Sequence, residues 1–321
     1  MEETNRILER LYDRRGGFCL VEELARDCGM TREKAEAAMA ALEAKGQTLE
    51  RAPGRGVMLG EPIRMDAHLI TRGLALRRVG RDVVCFGEVG STNDVARGAG
   101  AGGRCDGLVI TAEAQTAGRG RHGRSWISPA GRNILASAVL EQGAGFLAAE
   151  AVTIAAGVAL AEGVFDACGA SCRLKWPNDV LLDDGKLAGV LVETFSTSRG
   201  PWLVVGFGVN VNQAPPPEAV DYPAAALRAC VGAPVERIEV LRRVLVRLDA
   251  WVSAIEAGEF ETLHQAWVSR CGMINQRVTV LSRGRPVTGR VLDVSPLEGL
   301  ILACDSGQTV RLHANTSTIV G

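Results

Sequence analysis

The chain has 321 residues, of which 47% are hydrophobic and 23% charged, and its formal net charge at pH 7 is −1. This length exceeds what one compact core usually holds, so we expect two or three domains. The balanced charge excludes a general electrostatic attraction to nucleic acid or to anionic membranes. Any such contact must therefore come from a local patch.

No run reaches the roughly 18 apolar residues that a membrane-spanning helix needs. The most apolar stretch, residues 143–163, contains Glu150 and Glu162 and predicts a buried helix. The N-terminal Glu2 and Glu3 begin a polar helical pattern, unlike a signal peptide. Nine cysteines occur without a CxxC pair and without histidines at metal-ligand spacing. These features predict a cytoplasmic protein with reduced thiols, no membrane partner and no metal ligands of its own.

Residues 1–62 are predicted to form a winged helix-turn-helix domain. Apolar positions recur at helical spacing in the first helix, a second short helix follows, and Thr31 is the N-cap of a third helix that ends at Gly46. Two short strands, at 48–51 and 57–59, flank a Pro-Gly turn and form the predicted wing. Helix, helix, glycine-containing turn and helix is the order found in helix-turn-helix proteins.

The predicted DNA-binding residues lie at the start of the third helix and on the wing: Thr31, Arg32, Lys34, Arg51 and Arg55. Residues 1–60 contain ten Lys and Arg against eleven Asp and Glu, a net charge of −1. That charge is weak for a domain that must neutralise phosphates. A helical dimerisation or capping module therefore stays open as the alternative.

Residues 63–272 are predicted to form an α/β (α+β) domain with a mixed sheet, because apolar runs of strand length alternate with helical patterns. The runs lie at residues 83–86, 108–112, 134–140, 180–182, 187–193 and 202–208, and the helices near residues 93–98, 148–167 and 238–257. Residues 273–321 differ, because short strands at hairpin spacing predict a small β-barrel. Those strands are 278–281, 287–294, 300–304 and 309–312.

A loop rich in glycine and arginine, residues 116–126, is the strongest sign of chemistry. Arg119, Arg121 and Arg124 lie among glycines, and the chain has no acidic residue from 114 to 140. Glycines let a phosphate approach the backbone, and guanidinium groups offer forked donors to its oxygens. The loop therefore predicts a polyanionic ligand.

A second polar cluster, residues 175–179, contains Lys175 and is followed by Lys186. Two lysines that flank a turn, downstream of an arginine loop, indicate nucleotide chemistry. The loop also matches GxGxxG at residues 118–123, but no helical pattern follows, which argues against a dinucleotide-binding domain. The chain contains no GxxxxGK[ST] phosphate loop.

Together these segments resemble biotin protein ligases. That family has a GRGRxGRxW loop, a KWPND segment and a K(L/V)xG(I/V)L(V/I)E strand, which match in order residues 118–126, 175–179 and 186–193. Its upstream substrate positions and its GxGxNxN turn match Ser91, Thr92, Asn93, Gln115 and residues 206–212. The resemblance covers residues 86–212. It implies a central catalytic domain with a mixed sheet, followed by an SH3-like barrel.

The resemblance implies an ATP-dependent ligase that forms biotinyl-5′-AMP and transfers biotin to a lysine of the biotin carboxyl carrier protein. A carboxylate attacks without a general base, so the site must mainly neutralise anions. The residues implied to act in catalysis are Lys186 and Arg121. Those implied to bind biotin are Ser91, Thr92, Asn93, Gln115, Arg119, Gly120, Arg121 and Lys186. Those implied to bind ATP, with Mg²⁺ as its counterion, are Arg121, Arg124, Trp126, Lys175, Asn178, Asp179 and Asn210.

The winged N-terminus resembles the bifunctional members of the family, which also repress biotin synthesis genes. We therefore expect operator DNA as a partner and a homodimer when the adenylate is bound and the loop at 118–131 is ordered. His122 stands where many relatives have arginine, and we expect it to point outward. Two other functions stay open: a ligand-sensing transcription regulator without ligase activity, and a lipoate-type ligase, whose family lacks the arginine loop and the wing.

Overall fold

The structure is a computed structural model that describes residues 2–103, 105–142, 148–198 and 200–320, arranged in two compact units, Met1–Arg72 and Gly73–Gly321. The first unit contains, in chain order, α1 Glu2–Asp13, α2 Val21–Asp27, α3 Arg32–Ala44, β1 Leu49–Ala52, β2 Gly56–Leu59 and α4 Ala67–Thr71. The three predicted helices and the predicted hairpin are thus present.

The first unit extends ten residues beyond the predicted boundary at residue 62, because α4 packs on α1. Asp66 accepts hydrogen bonds from two main-chain N–H groups and so caps α4. The His68 ring lies 2.9 Å from the Glu9 carboxylate, and Arg72 donates to Asp13 at 2.6 Å. These contacts make α4 part of the helical unit.

The second unit is built on a seven-stranded mixed sheet with strand order β3-β4-β5-β9-β8-β7-β6. The pair β3–β4 is parallel and the other pairs are antiparallel, which confirms the predicted mixed α/β sheet. Its strands are β3 Val83–Val89, β4 Val109–Gln115, β5 Ile134–Glu141, β6 Arg173–Lys175, β7 Asp179–Leu182, β8 Gly185–Thr197 and β9 Gly200–Val209. The helices of this unit are α5 Thr92–Gly102, α6 Ala149–Cys168, α7 Leu227–Val231, α8 Arg237–Glu256 and α9 Phe260–Val268.

Helix α6 is the apolar centre of this unit. It corrects the expectation that no stretch of the chain is long and apolar enough to span a membrane. Its length and its mean hydropathy of 1.6 over 18 residues suffice for a membrane span by composition, although 67% of that window is buried inside the protein. A Cβ placed on Gly163 would lie 2.6 Å from the main-chain nitrogen of Val244, so α6 and α8 pack backbone to backbone. Residues 143–147 of the predicted helix lie outside the described residues.

The second unit ends in a five-stranded antiparallel sheet with order β13-β12-β11-β10-β14. Its strands are β10 Arg277–Ser282, β11 Arg285–Ser295, β12 Gly299–Cys304, β13 Thr309–Leu312 and β14 Ser317–Ile319. Four of these strands were predicted, and β14 was missed because it is only three residues long. The barrel assignment stays a prediction. All nine cysteines of the chain are free thiols, and burial raises the pKa of Cys172 to about 12.

Candidate active site

A cleft of about 520 Å³ opens on the mixed sheet of the second unit. It is bounded by the start of α5, the loop at 118–126, strands β6–β9 and residues 318–320 that follow Ser317. Thirteen of the predicted ligand-binding residues line this cleft: Ser91, Thr92, Asn93, Gln115, Arg119, Gly120, Arg121, Arg124, Trp126, Lys175, Asn178, Asp179 and Lys186. The fold thus brings together residues from positions 91 to 186 of the chain.

One end of the cleft is a buried polar network around Ser137 of β5. The Ser137 hydroxyl oxygen lies 2.7 Å from Thr92 Oγ1 and 2.6 Å from Asn93 Oδ1. Gln115 Oε1 accepts hydrogen bonds from the Thr92 main-chain N–H and hydroxyl, at 2.7 and 3.0 Å. The Asn93 amide donates to Glu193 at 2.6 Å. These bonds fix the amide and hydroxyl groups at the start of α5 against the sheet.

The loop at 118–126 closes on itself as a short hairpin. Gly120 N–H donates to the Arg124 carbonyl at 2.7 Å, and Trp126 N–H donates to the Gly118 carbonyl at 3.0 Å. A Cβ on Gly118 would lie 2.5 Å from the Trp126 carbonyl oxygen, so this position requires glycine. The hairpin thus holds the backbone that carries the three arginines of the loop.

Arg119 faces two carboxylates. It donates to both Asp94 oxygens, at 2.6 and 2.7 Å, and lies 3.4 Å from Glu193. The Arg119 guanidinium lowers the pKa of Asp94 below its ordinary value. The cation predicted to meet a biotin carboxylate or a phosphate is thus already paired within the protein.

Arg121 lies between the mixed sheet and the C-terminal sheet. Its guanidinium donates to Asn178 Oδ1 at 3.3 Å, to the Ser317 carbonyl at 3.1 Å, and to the Ala314 carbonyl. Burial lowers the pKa of Arg121; Asp179 opposes this shift and Arg124 adds to it. The segment at 314–320 therefore belongs to the cleft wall, which no sequence pattern indicated.

Lys186 and Asp179 form an ion pair across neighbouring strands, with the Lys186 ammonium 2.7 Å from Asp179 Oδ1. The same ammonium lies over two rings, 5.0 Å from the centroid of Tyr222 and 5.6 Å from that of Trp126. Burial raises the pKa of the Tyr222 hydroxyl. Charge pairing and the two aromatic faces hold this lysine inside the cleft.

The indole of Trp126 rests on two glycines of neighbouring strands. A Cβ on Gly208 would lie 2.4 Å from the ring, and a Cβ on Gly189 would lie 3.2 Å from it. These glycines face each other in the β8–β9 register. The GxGxN pattern thus provides a flat surface for the indole.

Arg124 and Lys175 are the cleft cations without partners. Within the part of the chain that the structure describes, neither side chain makes a hydrogen bond or an ion pair. The cleft that Trp126 lines therefore also contains two cations without side-chain partners among the described residues.

His122 is exposed, with φ of 56°, and also lines the cleft. Burial lowers the pKa of His122, and the charges of Arg121 and Arg124 lower it further.

Asn210 is the one predicted ligand-binding residue that does not line the cleft. It is buried behind Lys186, and its amide donates to the Lys186 carbonyl at 3.3 Å. Among the described residues, its Oδ1 finds no donor. Asn210 thus supports the strand that carries the lysine.

Three residues that shape the cleft were not singled out from the sequence. Tyr222 lines it, and Ser137 and Glu193 hydrogen-bond to the cleft residues Thr92 and Asn93 from behind. Ser137 is the one polar residue inside the apolar run of β5, and that contrast was a usable signal. Tyr222 follows Asp221 in a stretch without a regular pattern, so only the folded chain shows that it covers Lys186.

The five predicted DNA-binding residues are on the surface of the first unit. Thr31 accepts a hydrogen bond from Lys34 N–H and caps α3. The cations have partners of their own: Arg32 pairs with Glu22 and Glu36, Lys34 with Glu3, and Arg51 with Glu43, while Arg55 lies 4.4 Å from the Phe18 ring centroid. Exposed pairs of this kind contribute little to stability, so they do not prevent these cations from contacting another anion.

Comparison with known proteins connects this geometry to a family. Residues 91–210 match the model of the Biotin/lipoate A/B protein ligase family. A biotin–[acetyl-CoA-carboxylase] ligase of Mycobacterium tuberculosis is 37% identical over 257 residues, which is 77% of this chain and 90% of that relative. The chain belongs to the biotin protein ligase family. This ligase therefore carries the family sequence patterns in a cleft that the fold assembles.

Two further matches are a solved structure and a longer relative. A biotin protein ligase from Aquifex aeolicus, solved in complex with biotin and ATP, aligns with a TM-score of 0.66 at 26% identity, covering 75% of this ligase and 99% of that chain. A bifunctional ligase/repressor of Escherichia coli is 28% identical over 291 residues, covering 90% of this ligase and 89% of the relative. The second unit holds 249 of the 321 residues, about 78%, so the latter alignment must reach into the first unit.

Proposed function

We propose that this ligase activates biotin with ATP and transfers it to a lysine of a biotin carboxyl carrier protein. The observation that carries the proposal is one cleft that joins an end lined by hydroxyl and amide side chains to several cations and the half-buried indole of Trp126. Biotin has a ureido ring with a carbonyl and two N–H groups, which require matched partners. ATP supplies phosphates for the cations and a base for the indole.

In the first step a biotin carboxylate oxygen attacks the α-phosphorus of ATP. A new P–O bond forms, the bond to the β-phosphate oxygen breaks, and pyrophosphate leaves. Negative charge grows on the α-phosphate oxygens, and a positioned ammonium in a partly buried site stabilises it. Lys186 has that position, between the polar end and Trp126, and we assign it the main catalytic role.

The cations at the other end receive the phosphates. Arg124 and Lys175 lack partners among the described residues, so no internal ion pair must break when a phosphate binds. Arg121 is held by Asn178 and the Ser317 carbonyl, and it contributes a fixed positive field. The roles of these residues match the sequence-based assignment.

Mg²⁺ accompanies the nucleotide in this proposal. Among the described residues no group of three or more His, Cys, Asp or Glu is placed to hold a metal ion, and Asp179 is paired with Lys186. Mg²⁺ commonly takes most of its ligands from phosphates and water. The ion would therefore be held mainly by ATP, where it neutralises the leaving pyrophosphate.

In the second step the ε-amine of the acceptor lysine attacks the acyl carbon of biotinyl-5′-AMP. The amine attacks in its neutral form, an amide forms, the acyl–phosphate bond breaks, AMP leaves with the bonding electrons, and the proton lost from the nitrogen passes to solvent. The Mycobacterium relative is named as a biotin–[acetyl-CoA-carboxylase] ligase, which supports a carboxylase carrier domain as acceptor. The match of the cleft patterns to biotin ligases favours biotin over lipoate.

Separate assays of the two steps test the proposal. Biotin-dependent exchange of labelled pyrophosphate into ATP reports the first step, and mass spectrometry of a carrier domain reports the second. We expect wild type to perform both, Lys186→Ala neither, and Lys45→Ala, at the exposed end of α3, to match wild type. Exchange with lipoate but not with biotin would replace the proposal with a lipoate-type ligase. No exchange with either acid would favour a regulator that only senses a ligand.

We further propose that the first unit is a winged helix that binds operator DNA when the ligase is a homodimer loaded with the adenylate. Its support is the alignment of the bifunctional Escherichia relative into this unit and the helix-hairpin order of α1–α3 and β1–β2. A mobility-shift titration against the promoter of the chain's own biotin genes, with and without biotin and ATP, checks it. Arg32→Ala together with Arg51→Ala should weaken binding and lower its salt dependence. Equal binding to unrelated DNA would contradict a specific operator.

A further inference from the structure

Arg119 and Asp94 form the best-defined ion pair at the cleft. The pair is bidentate, with both guanidinium branches 2.6–2.7 Å from separate carboxylate oxygens. Glu193 offers a third oxygen at 3.4 Å. Bidentate arginine–carboxylate pairs are geometrically specific, unlike most single-contact surface pairs.

The pair connects two different parts of the cleft. Asp94 lies in the first turn of α5, next to Asn93 of the buried polar network. Arg119 begins the loop hairpin and pairs with Ser125 across it. Fixing Arg119 therefore fixes the hairpin stem, and with it the direction of the loop residues that follow.

The charges around Arg119 differ from those around the other cleft cations. Two carboxylates already face it, whereas Arg124 and Lys175 have no side-chain partner among the described residues. An anionic ligand that approached Arg119 would have to displace Asp94 and would then face its carboxylate. The arrangement disfavours a direct contact with a biotin carboxylate or a phosphate.

We propose that Arg119 is a positioning residue, held by Asp94, that fixes the loop stem instead of binding the anionic ligand. This inference rests on the ligase function proposed above and corrects the ligand-binding role predicted for Arg119. In the competing arrangement, Asp94 pairs with Arg119 only in the ligand-free protein. When the ligand binds, the arginine leaves Asp94 and contacts the ligand.

The variant Asp94→Ala separates the two arrangements, because they predict opposite changes in the kinetics of pyrophosphate exchange. If Asp94 positions the loop, its loss should lower kcat/KM for pyrophosphate exchange roughly 10- to 100-fold, since small misplacements of cleft groups are costly. If Asp94 merely competes with the ligand, its loss should leave KM for biotin and ATP unchanged or lower it, and that result would overturn the proposal.

A double-mutant cycle adds a second criterion. Arg119→Ala should cost about as much as Asp94→Ala, and the double variant should cost no more than either, because all three lose one interaction. A far larger loss in Arg119→Ala, with additive losses in the double variant, would show that Arg119 contacts the ligand. Arg97→Ala is the matched control, because Arg97 pairs with Glu193 from α5 but does not touch the loop.

A readout without substrate separates this inference from the ligase function. Trypsin cleavage after Arg124, mapped by mass spectrometry on the ligand-free full chain, should be faster in Asp94→Ala and Arg119→Ala than in wild type and Arg97→Ala. Equal cleavage in all four proteins would contradict a positioning role whatever the activity. If both variants are cleaved faster than wild type but wild type shows no exchange activity, the positioning role of Arg119 stands and only the ligase function is rejected.

Discussion

A Cβ atom on Gly208 would lie 2.4 Å from Cε2 of the Trp126 indole, so the ring occupies the space that any side chain at position 208 would fill. The aromatic face of the cleft therefore depends on a residue that has no side chain. Because the obstacle is a whole ring in contact with the sheet, it cannot yield by a small rotamer change.

Gly208→Ala should displace the indole and weaken nucleotide binding. Overpacking of this kind costs about 1–3 kcal/mol, which, if it falls on nucleotide binding, corresponds to a rise of roughly 5- to 150-fold in KM for ATP. Steady-state exchange kinetics and tryptophan fluorescence measure the change. Gly98→Ala is the control, because a Cβ there meets nothing within 4 Å and alanine favours the surrounding helix. An unchanged KM for ATP in Gly208→Ala would remove Trp126 from the nucleotide site.

Lys186→Ala should lower kcat for pyrophosphate exchange roughly 10²- to 10³-fold, the usual effect of losing one charge-stabilising donor. Asp179→Asn should give a smaller loss, because it keeps the ammonium but removes the carboxylate charge that pairs with it at 2.7 Å. Exchange rates at saturating biotin and ATP measure both. Equal losses in the two variants would mean that Asp179 has a role of its own beyond holding Lys186.

Ser137→Ala should affect stability and biotin affinity together. The hydroxyl is fully buried between Thr92 and Asn93, and leaving buried polar groups unpaired costs about 1–3 kcal/mol. Thr111→Val removes another buried hydroxyl of the same sheet, which donates to the Leu135 carbonyl away from the polar network. Chemical denaturation should show a loss in both variants, and only Ser137→Ala should raise KM for biotin. A similar KM in both would place biotin elsewhere.

The pKa of His122 should lie below its ordinary value of 6.5, as burial and the charges of Arg121 and Arg124 require. The unfolded chain then binds the proton more tightly than the folded chain, so protonation lowers the free energy of unfolding as pH falls below about 6.5. In His122→Asn, the free energy of unfolding should therefore depend less on pH below about 6.5 than it does in wild type. A ring titration by NMR should show the pKa rise when Mg²⁺-ATP is added, because phosphates offset the arginine charges. No rise would place the phosphates away from His122.

The sequence specified the local elements and most of the cleft residues, because both have local causes. Thr31 caps α3 through its own hydroxyl, and the apolar runs that form β5, β8 and β9 are visible along the chain. The loop at 118–126 predicts a polyanionic ligand by composition, since glycine lets a phosphate approach the backbone and arginine offers forked donors to it. The short elements β6, β14 and α7 escaped because three to five residues contain too little periodicity.

Only the tertiary structure decided which charges are free. Arg119, Arg121 and Arg124 are equivalent in sequence, yet the fold pairs the first with Asp94, gives the second the carbonyl of Ser317, and leaves the third without a side-chain partner among the described residues. These partners lie between 25 and 196 positions away. A charge is neutralised by whatever stands within a few ångströms of it, and chain folding, not sequence spacing, sets that distance.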